Sequence, residues 1–256
     1  MAESLKARLQ AGETVWGTFI FDCPVPAMPR ILKAAGWDYA LIDTEHASSS
    51  IETVAALLHV AAGAGLPAVV RVPEPSRSLL CRALDAGAAG VMVPRVESRA
   101  QVEQVVRWTT YAPGGDRSVL FGAALTGYRA VDGAAFAAAA NRERLLVIQV
   151  ETRRGIEHVE EIVSTPGVDV AYIGPYDLSA SLGLPGQVTH PRVLEAVDAF
   201  LAACRRHGVI CGNYVESLEA ARVWMARGFR FLTYATDLGL ILQKSQDVLK
   251  ELRKNV

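Results

Sequence analysis

The feature that most limits the folds open to this chain is a repeated alternation. Short apolar, β-branched runs at 15–21, 39–43, 68–71, 90–94, 145–152, 168–177, 209–213 and 231–234 are each followed by a stretch of helical periodicity. The helical stretches fall near 27–35, after Ser48-Ser49-Ser50 up to 64, then 76–86, 100–110, 154–164, 193–207, 218–227 and 238–254, with Gly36 and Gly87 marking two of their ends. Eight strands and eight helices in strict order argue for an α/β fold of the closed (β/α)8 TIM barrel type. A doubly wound open sheet produces the same local pattern, so periodicity alone leaves both open. The length of 256 residues suits one barrel and no shift in composition marks a seam, so 1–256 reads as a single domain. The rhythm breaks once, at 111–144, a long insertion containing Pro113-Gly114-Gly115 and one short Ala-rich helix at 134–140. Connections of that length are usually lids or interface segments.

Composition removes several classes of function. The formal net charge is −1, which gives no footprint for nucleic acid or for a membrane surface. Cys23, Cys81, Cys204 and Cys211 form no C-x-x-C pair and no zinc-like spacing, so free thiols in a reducing cytoplasm are expected. No secretory signal is legible at the start, and no apolar run reaches the roughly 18 residues that span a bilayer. Lysine occurs only at Lys6, Lys33, Lys244, Lys250 and Lys254, none at a strand end, so a Schiff-base nucleophile is missing. The loops after strands seven and eight, Asn213 to Glu216 and Ala235 to Asp237, lack the glycine-rich character of a phosphate site.

In a barrel the chemistry sits at the C-terminal ends of the strands, and polar residues collect there. Asp43, Glu45 and His46 follow the second strand, Arg71 ends the third, Gln149 and Glu151 end the fifth, and Asp177 follows the sixth. Asn213 and Tyr214 follow the seventh, and Asp237 the eighth. Glu151 and Asp177 stand 26 positions apart, about one strand-helix-strand unit, which places them side by side on one sheet edge. Adjacent carboxylates repel unless they share a proton or a cation, and a hard divalent ion is the first expectation. An ion held by two carboxylates keeps water positions free, which suits Mg2+, Mn2+ or Co2+. With an arginine beside it, such a centre suits a 2-oxo acid and the enolate derived from it.

The segments Leu41-Ile42-Asp43-Thr44-Glu45-His46, Val69-Val70-Arg71, Val93-Pro94, Tyr111-x-Pro113-x-Gly115-x-Arg117, Gln149-Val150-Glu151-Thr152 and Ile173-Gly174-Pro175-x-Asp177-Leu178-Ser179 span most of the chain. As an ordered set this resembles the HpcH/HpaI aldolases, metal-dependent (class II) pyruvate aldolases of the 4-hydroxy-2-oxoheptanedioate and 2-dehydro-3-deoxyglucarate aldolase type. The resemblance implies a lyase that adds a pyruvate enolate to an aldehyde and reverses that addition. It implies Glu151 and Asp177 as metal ligands, Arg71 on the pyruvate carboxylate or oxo group, and Gln149 as a positioning partner. His46, supported by Asp85, would assist proton transfer, and Asp43 and Glu45 would order outer-shell waters. It also implies a homo-oligomer, a trimer of dimers whose C-terminal helices at 238–254 swap between neighbours.

Two departures stand out. Arg117 is followed by Ser118 where the family usually has glycine, which predicts a different loop path. Tyr176 precedes Asp177 where a small residue is usual, so a phenol should narrow the aldehyde side or offer it a hydrogen bond, with Tyr214 and Phe19 lining the same side. Two other readings remain beside the aldolase. One is the related branch that cleaves acyl-CoA thioesters, for which no basic, open mouth is legible. The other is a barrel that binds a 2-oxo acid without turning it over, which would need no base.

Overall fold

Eight parallel strands close on themselves in sequence order. The computed structural model describes residues 3–255. The strands are β1 (Val15–Ile20), β2 (Tyr39–Asp43), β3 (Ala68–Arg71), β4 (Gly90–Val93), β5 (Leu145–Val150), β6 (Val170–Ile173), β7 (Ile210–Val215) and β8 (Phe231–Thr236). The ring closes where Val15 pairs with Phe231 and Trp16 with Leu232. The open-sheet alternative is thereby removed, and the expected (β/α)8 barrel is the fold.

Two apolar layers hold it. Alternate residues of each strand point inward, where Phe19, Tyr39, Leu41, Val69, Met92, Val147, Tyr172 and Phe231 fill the interior. The others point outward and pack under the helices, as Ile42, Val70, Val91, Ile148, Ile173 and Leu232 do. Nearly every strand residue is buried, which is why these segments are continuously apolar rather than alternating.

The helices number more than eight. They are α1 (Leu5–Gln10), α2 (Met28–Ala35), α3 (Ile51–Ala64), α4 (Arg77–Asp85), α5 (Arg99–Thr109), α6 (Gly133–Glu143), α7 (Arg153–Glu157), α8 (Val159–Val163), α9 (Pro175–Ser181), α10 (Pro191–His207), α11 (Leu218–Ala226) and α12 (Asp237–Leu252). Helix α1 is unanticipated. Ser4 caps it, and Leu5 and Leu9 join the interior cluster, closing the N-terminal end of the barrel. The single helix expected at 154–164 is broken at His158, whose φ of −109° and ψ of 14° leave the helical region. Asp177 is not a strand terminus: β6 stops at Ile173, and Asp177 lies in the first turn of α9, which Pro175 opens.

The 111–144 segment is pinned at its base. Asn141 exchanges two hydrogen bonds with the Tyr111 backbone, and Arg77 reaches the Asp116 carbonyl and Ser118. Its tip exposes Val119, Leu120, Phe121 and Tyr128. Helix α12 likewise exposes Leu238, Ile241, Leu242, Val248, Leu249 and Leu252. Among the described residues no helix is long and apolar enough to cross a membrane. The four cysteines are free thiols, as expected.

Candidate active site

The C-terminal rim of the barrel encloses a cavity of about 170 Å3, lined by Arg71, Gln149 and Asp177 on one side and by Phe19, Tyr176 and Tyr214 among its aromatic walls. His46 stands at its edge with its side chain 54% exposed. These residues lie on or just after β1, β2, β3, β5, β6 and β7, so the closed ring is what brings them together.

Arg71 ends β3 and is held on two sides. Its Nε donates to Asp43 Oδ1 at 2.6 Å, Nη1 lies 3.2 Å from Glu45 Oε2, and the guanidinium stacks over the Phe19 ring at 4.8 Å. Burial works against its charge, but Asp43 outweighs that and raises the guanidinium above its ordinary value. Asp43 also accepts from the backbone N–H groups of Glu45 and His46, which folds the loop after β2 back over the rim. The two carboxylates expected to order outer waters therefore have a direct task, which is to orient Arg71. Glu45 is itself raised by burial, with Arg71 opposing the shift.

Glu151 follows β5 and is 2% exposed. One oxygen accepts the Arg95 N–H at 3.0 Å, and the other accepts from Gln149 Nε2. Neither partner carries a positive charge that meets the carboxylate. Burial, and then the charges of Asp177 and Glu45, push its carboxyl from 4.5 up to about 8. Gln149 Oε1 is buried without a hydrogen-bond partner. Gly174 leaves the space this arrangement needs, since a Cβ there would collide with Glu151 Oε2. A buried carboxylate next to a second one, with no cation of its own, is the donor chemistry a hard divalent ion answers. Among the described residues no group of three or more His, Cys, Asp and Glu side chains converges on one point, so any ion here rests on two carboxylates.

Other residues contribute that the sequence did not announce. Arg95 sits at φ 52°, a left-handed conformation uncommon for a side-chain-bearing residue, and that backbone twist accompanies the N–H it gives to Glu151. Tyr172 lines the cavity from the barrel interior, its phenol raised by burial, and Phe21 and Thr236 add to the wall. Asp237, read only as a polar strand end, is 2% exposed and accepts from the backbone N–H groups of Phe21, Asp22 and Cys23, so it anchors the loop after β1.

Two expectations need correction. Asp85 does not meet His46 within the chain. It ends α4, which runs back toward the N-terminal end of the barrel, and there it pairs with Arg117 at 2.7 Å. Tyr176 does not hold its hydroxyl free for an aldehyde, because it donates to Glu216 at 2.8 Å. The 111–144 segment supplies no residue to the cavity lining within one chain.

A family model for the HpcH/HpaI aldolase/citrate lyase family matches residues 22–243. The chain belongs to that family. It is similar to the hydroxypyruvate/pyruvate aldolase of Paraburkholderia phytofirmans, 35% identical over 97% of each chain. It is also similar to the 5-keto-4-deoxy-D-glucarate aldolase of Klebsiella pneumoniae, 31% identical over 90% of this chain and 89% of that one. Among solved structures, an HpcH/HpaI aldolase from Desulfitobacterium hafniense superposes with a TM-score of 0.93 at 33% identity, covering 98% of this chain and 97% of that one. A citrate synthase superposes with a TM-score of 0.87 at 30% identity over 98% of each. The expectation of a carbon–carbon lyase is borne out by this membership, while the family's breadth leaves the carbonyl partner open.

Proposed function

We propose that the protein catalyses the reversible, metal-dependent aldol addition of a pyruvate enolate to an aldehyde, and the matching cleavage of 4-hydroxy-2-oxo acids. The observation that carries this reading is a cavity small enough for a 2-oxo acid that Arg71, Gln149 and Asp177 line, with Arg71 held by Asp43 and Glu45 and the buried Glu151 hydrogen-bonded to Gln149. Glu151 and Asp177 would hold the divalent ion, Mg2+, Mn2+ or Co2+, which when bound supplies positive charge to the keto oxygen and so acidifies the neighbouring methyl. Arg71 binds the carboxylate and keeps it in register, because Asp43 and Glu45 fix two edges of its guanidinium. Gln149 orients Glu151, and its free Oε1 faces the same buried region. His46 is the titratable nitrogen base on the cavity rim and serves in proton transfer, with Glu45 3.7 Å from its Nε2. Phe19, Tyr176 and Tyr214 form the aldehyde side.

Enolisation tests this without an aldehyde. Metal-stripped protein in D2O with pyruvate should exchange the methyl protons only after a divalent ion is restored, read by loss of the methyl signal in NMR. A folded protein that exchanges nothing with any of the three ions would remove the aldolase reading and leave the non-catalytic barrel.

A homo-oligomer, a trimer of dimers with α12 exchanged between neighbours, is part of the same reading. The apolar residues that α12 exposes, and the groove beside it formed by Trp16, Trp37, Leu218 and Met225, support it. Light scattering on the full chain would give a hexamer mass, and a monomer at micromolar concentration would overturn it.

A further inference from the structure

The aldehyde side of the cavity has an uneven charge. Phe19, Phe21, Tyr176, Tyr214 and Thr236 form it, and the segments carrying them, 19–23, 174–177, 213–217 and 235–239, contain no lysine or arginine. They do contain Glu216, whose carboxylate accepts the Tyr176 hydroxyl at 2.8 Å. The bond joins the first turn of α9 to the loop after β7, so it ties an exposed carboxylate to the cavity wall. It also spends the one proton Tyr176 has to give, so that phenol offers no donor to an arriving anion. The Tyr176 phenol is raised chiefly by this hydrogen bond, and Tyr214 by burial and then by the Glu216 charge.

Among the described residues, the basic side chains that line the cavity, Arg71 and His46, do not offset this. Arg71 is matched by Asp43 at 2.6 Å and Glu45 at 3.2 Å, and His46 has Glu45 at 3.7 Å. On the pyruvate side stand Glu151 and Asp177, which a divalent ion would neutralise. An aldehyde bearing its own carboxylate would therefore meet Glu216 with nothing to pair with.

We propose that Glu216, held by Tyr176, screens the second substrate by charge, so that the site takes uncharged aldehydes in preference to carboxylate-bearing ones of the same length. The proposal rests on the aldolase reading and refines its substrate class. An uncharged aldehyde needs only the aromatic walls, and its hydroxyl groups, where present, find an acceptor in Glu216.

The test uses two four-carbon aldehydes, butanal and succinic semialdehyde, each with pyruvate and the divalent ion that best supports methyl exchange. The quantity read is the ratio of kcat/KM for the anionic aldehyde to that for the neutral one, in the unsubstituted enzyme and in Glu216→Gln and Glu216→Lys. Each unit of charge removed should raise that ratio about fivefold, the size of a partly screened pair near a surface, and added salt should shrink the difference. Tyr176→Phe, which releases Glu216, should raise it by less than Glu216→Gln does. A ratio that stays constant across the charge series overturns the screen, whatever happens to the absolute rates. Pyruvate exchange in D2O is followed in the same samples. Exchange present with a constant ratio defeats the screen alone, whereas exchange absent from the unsubstituted enzyme defeats the aldolase reading and the screen with it.

Discussion

Glu151→Gln should make the metal-free protein more stable, and the structure sets how much. The carboxyl is 2% exposed and its pKa stands near 8 instead of 4.5, because burial and the neighbouring Asp177 and Glu45 penalise its charge. The unfolded chain releases this proton near 4.5, whereas the native protein keeps it until about 8. The native state therefore holds this proton across that interval, so the contribution of Glu151 to stability is fully present below pH 4.5 and falls as pH rises toward 8. At about 1.4 kcal/mol per unit the whole fall is about 5 kcal/mol. An amide at this position cannot ionise and should lack the fall. Its hydrogen bonds can be kept: its oxygen accepts the Arg95 N–H, and turning Gln149 over brings its unpartnered Oε1 to the new donor. A residual mismatch costs about 1 kcal/mol. Chelated Glu151→Gln should thus exceed the unsubstituted protein by about 3–5 kcal/mol at pH 8 and match it near pH 4.5. Excess Mg2+ or Mn2+ should close most of that gap, since an ion at a hundred times its Kd adds about 2.7 kcal/mol only to the protein that binds it. Urea denaturation between pH 4.5 and 9, with and without chelator, reads both effects. Parallel pH curves for the two proteins would refute the description of Glu151 as a buried carboxylate without a cation.

Other perturbations follow from the same contacts. Arg71→Lys cannot reproduce the simultaneous Nε and Nη1 contacts to Asp43 and Glu45, so kcat/KM for pyruvate should fall on the order of a hundredfold; steady-state kinetics within threefold of normal would remove Arg71 from the site. Gly174→Ala puts a methyl against Glu151 Oε2 and should weaken divalent-ion binding more than tenfold by calorimetry, with the barrel still folded by circular dichroism. Asp237→Ala strands the N–H groups of Phe21, Asp22 and Cys23 and should cost about 2–3 kcal/mol in chemical denaturation while raising KM for the aldehyde, because Phe21 is part of that wall.

The eight strands are legible in the sequence because both faces of each are buried, which leaves a continuous apolar run with a polar end. Elements that bury only a few side chains are not. Helix α1 has six residues and commits two, Leu5 and Leu9, and α9 begins at a proline inside what reads as the tail of a strand. Residues that act through polar or charged side chains at strand ends, such as Arg71, Gln149 and Glu151, are visible for the same reason as the strands. Contributions made by the backbone leave no such mark: Arg95 gives Glu151 an N–H from a left-handed turn, and Gly174 gives it space. The place of Asp85 is not legible, because resemblance assigns a partner without saying which end of a helix it occupies, and α4 carries it to Arg117.

The two halves of the site differ in how firmly the fold holds them, and this bears on where specificity can vary. The proposed pyruvate half is built on β3 and β5 and is fastened by buried contacts, Arg71 to Asp43 and Gln149 to Glu151, whose loss would leave charges unpaired in a closed environment. The proposed aldehyde half is built from the first turn of α9, the ends of β7 and β8 and the residue that follows β7, and its defining contact, Tyr176 to Glu216, is exposed to solvent. An exposed pair contributes little to stability, so it can be exchanged for other residues at small cost. Substitutions at Tyr176, Tyr214 and Glu216 should therefore alter which aldehyde is taken while the barrel and the proposed enolate chemistry persist, and this is the division that a family of both aldolases and citrate lyases requires.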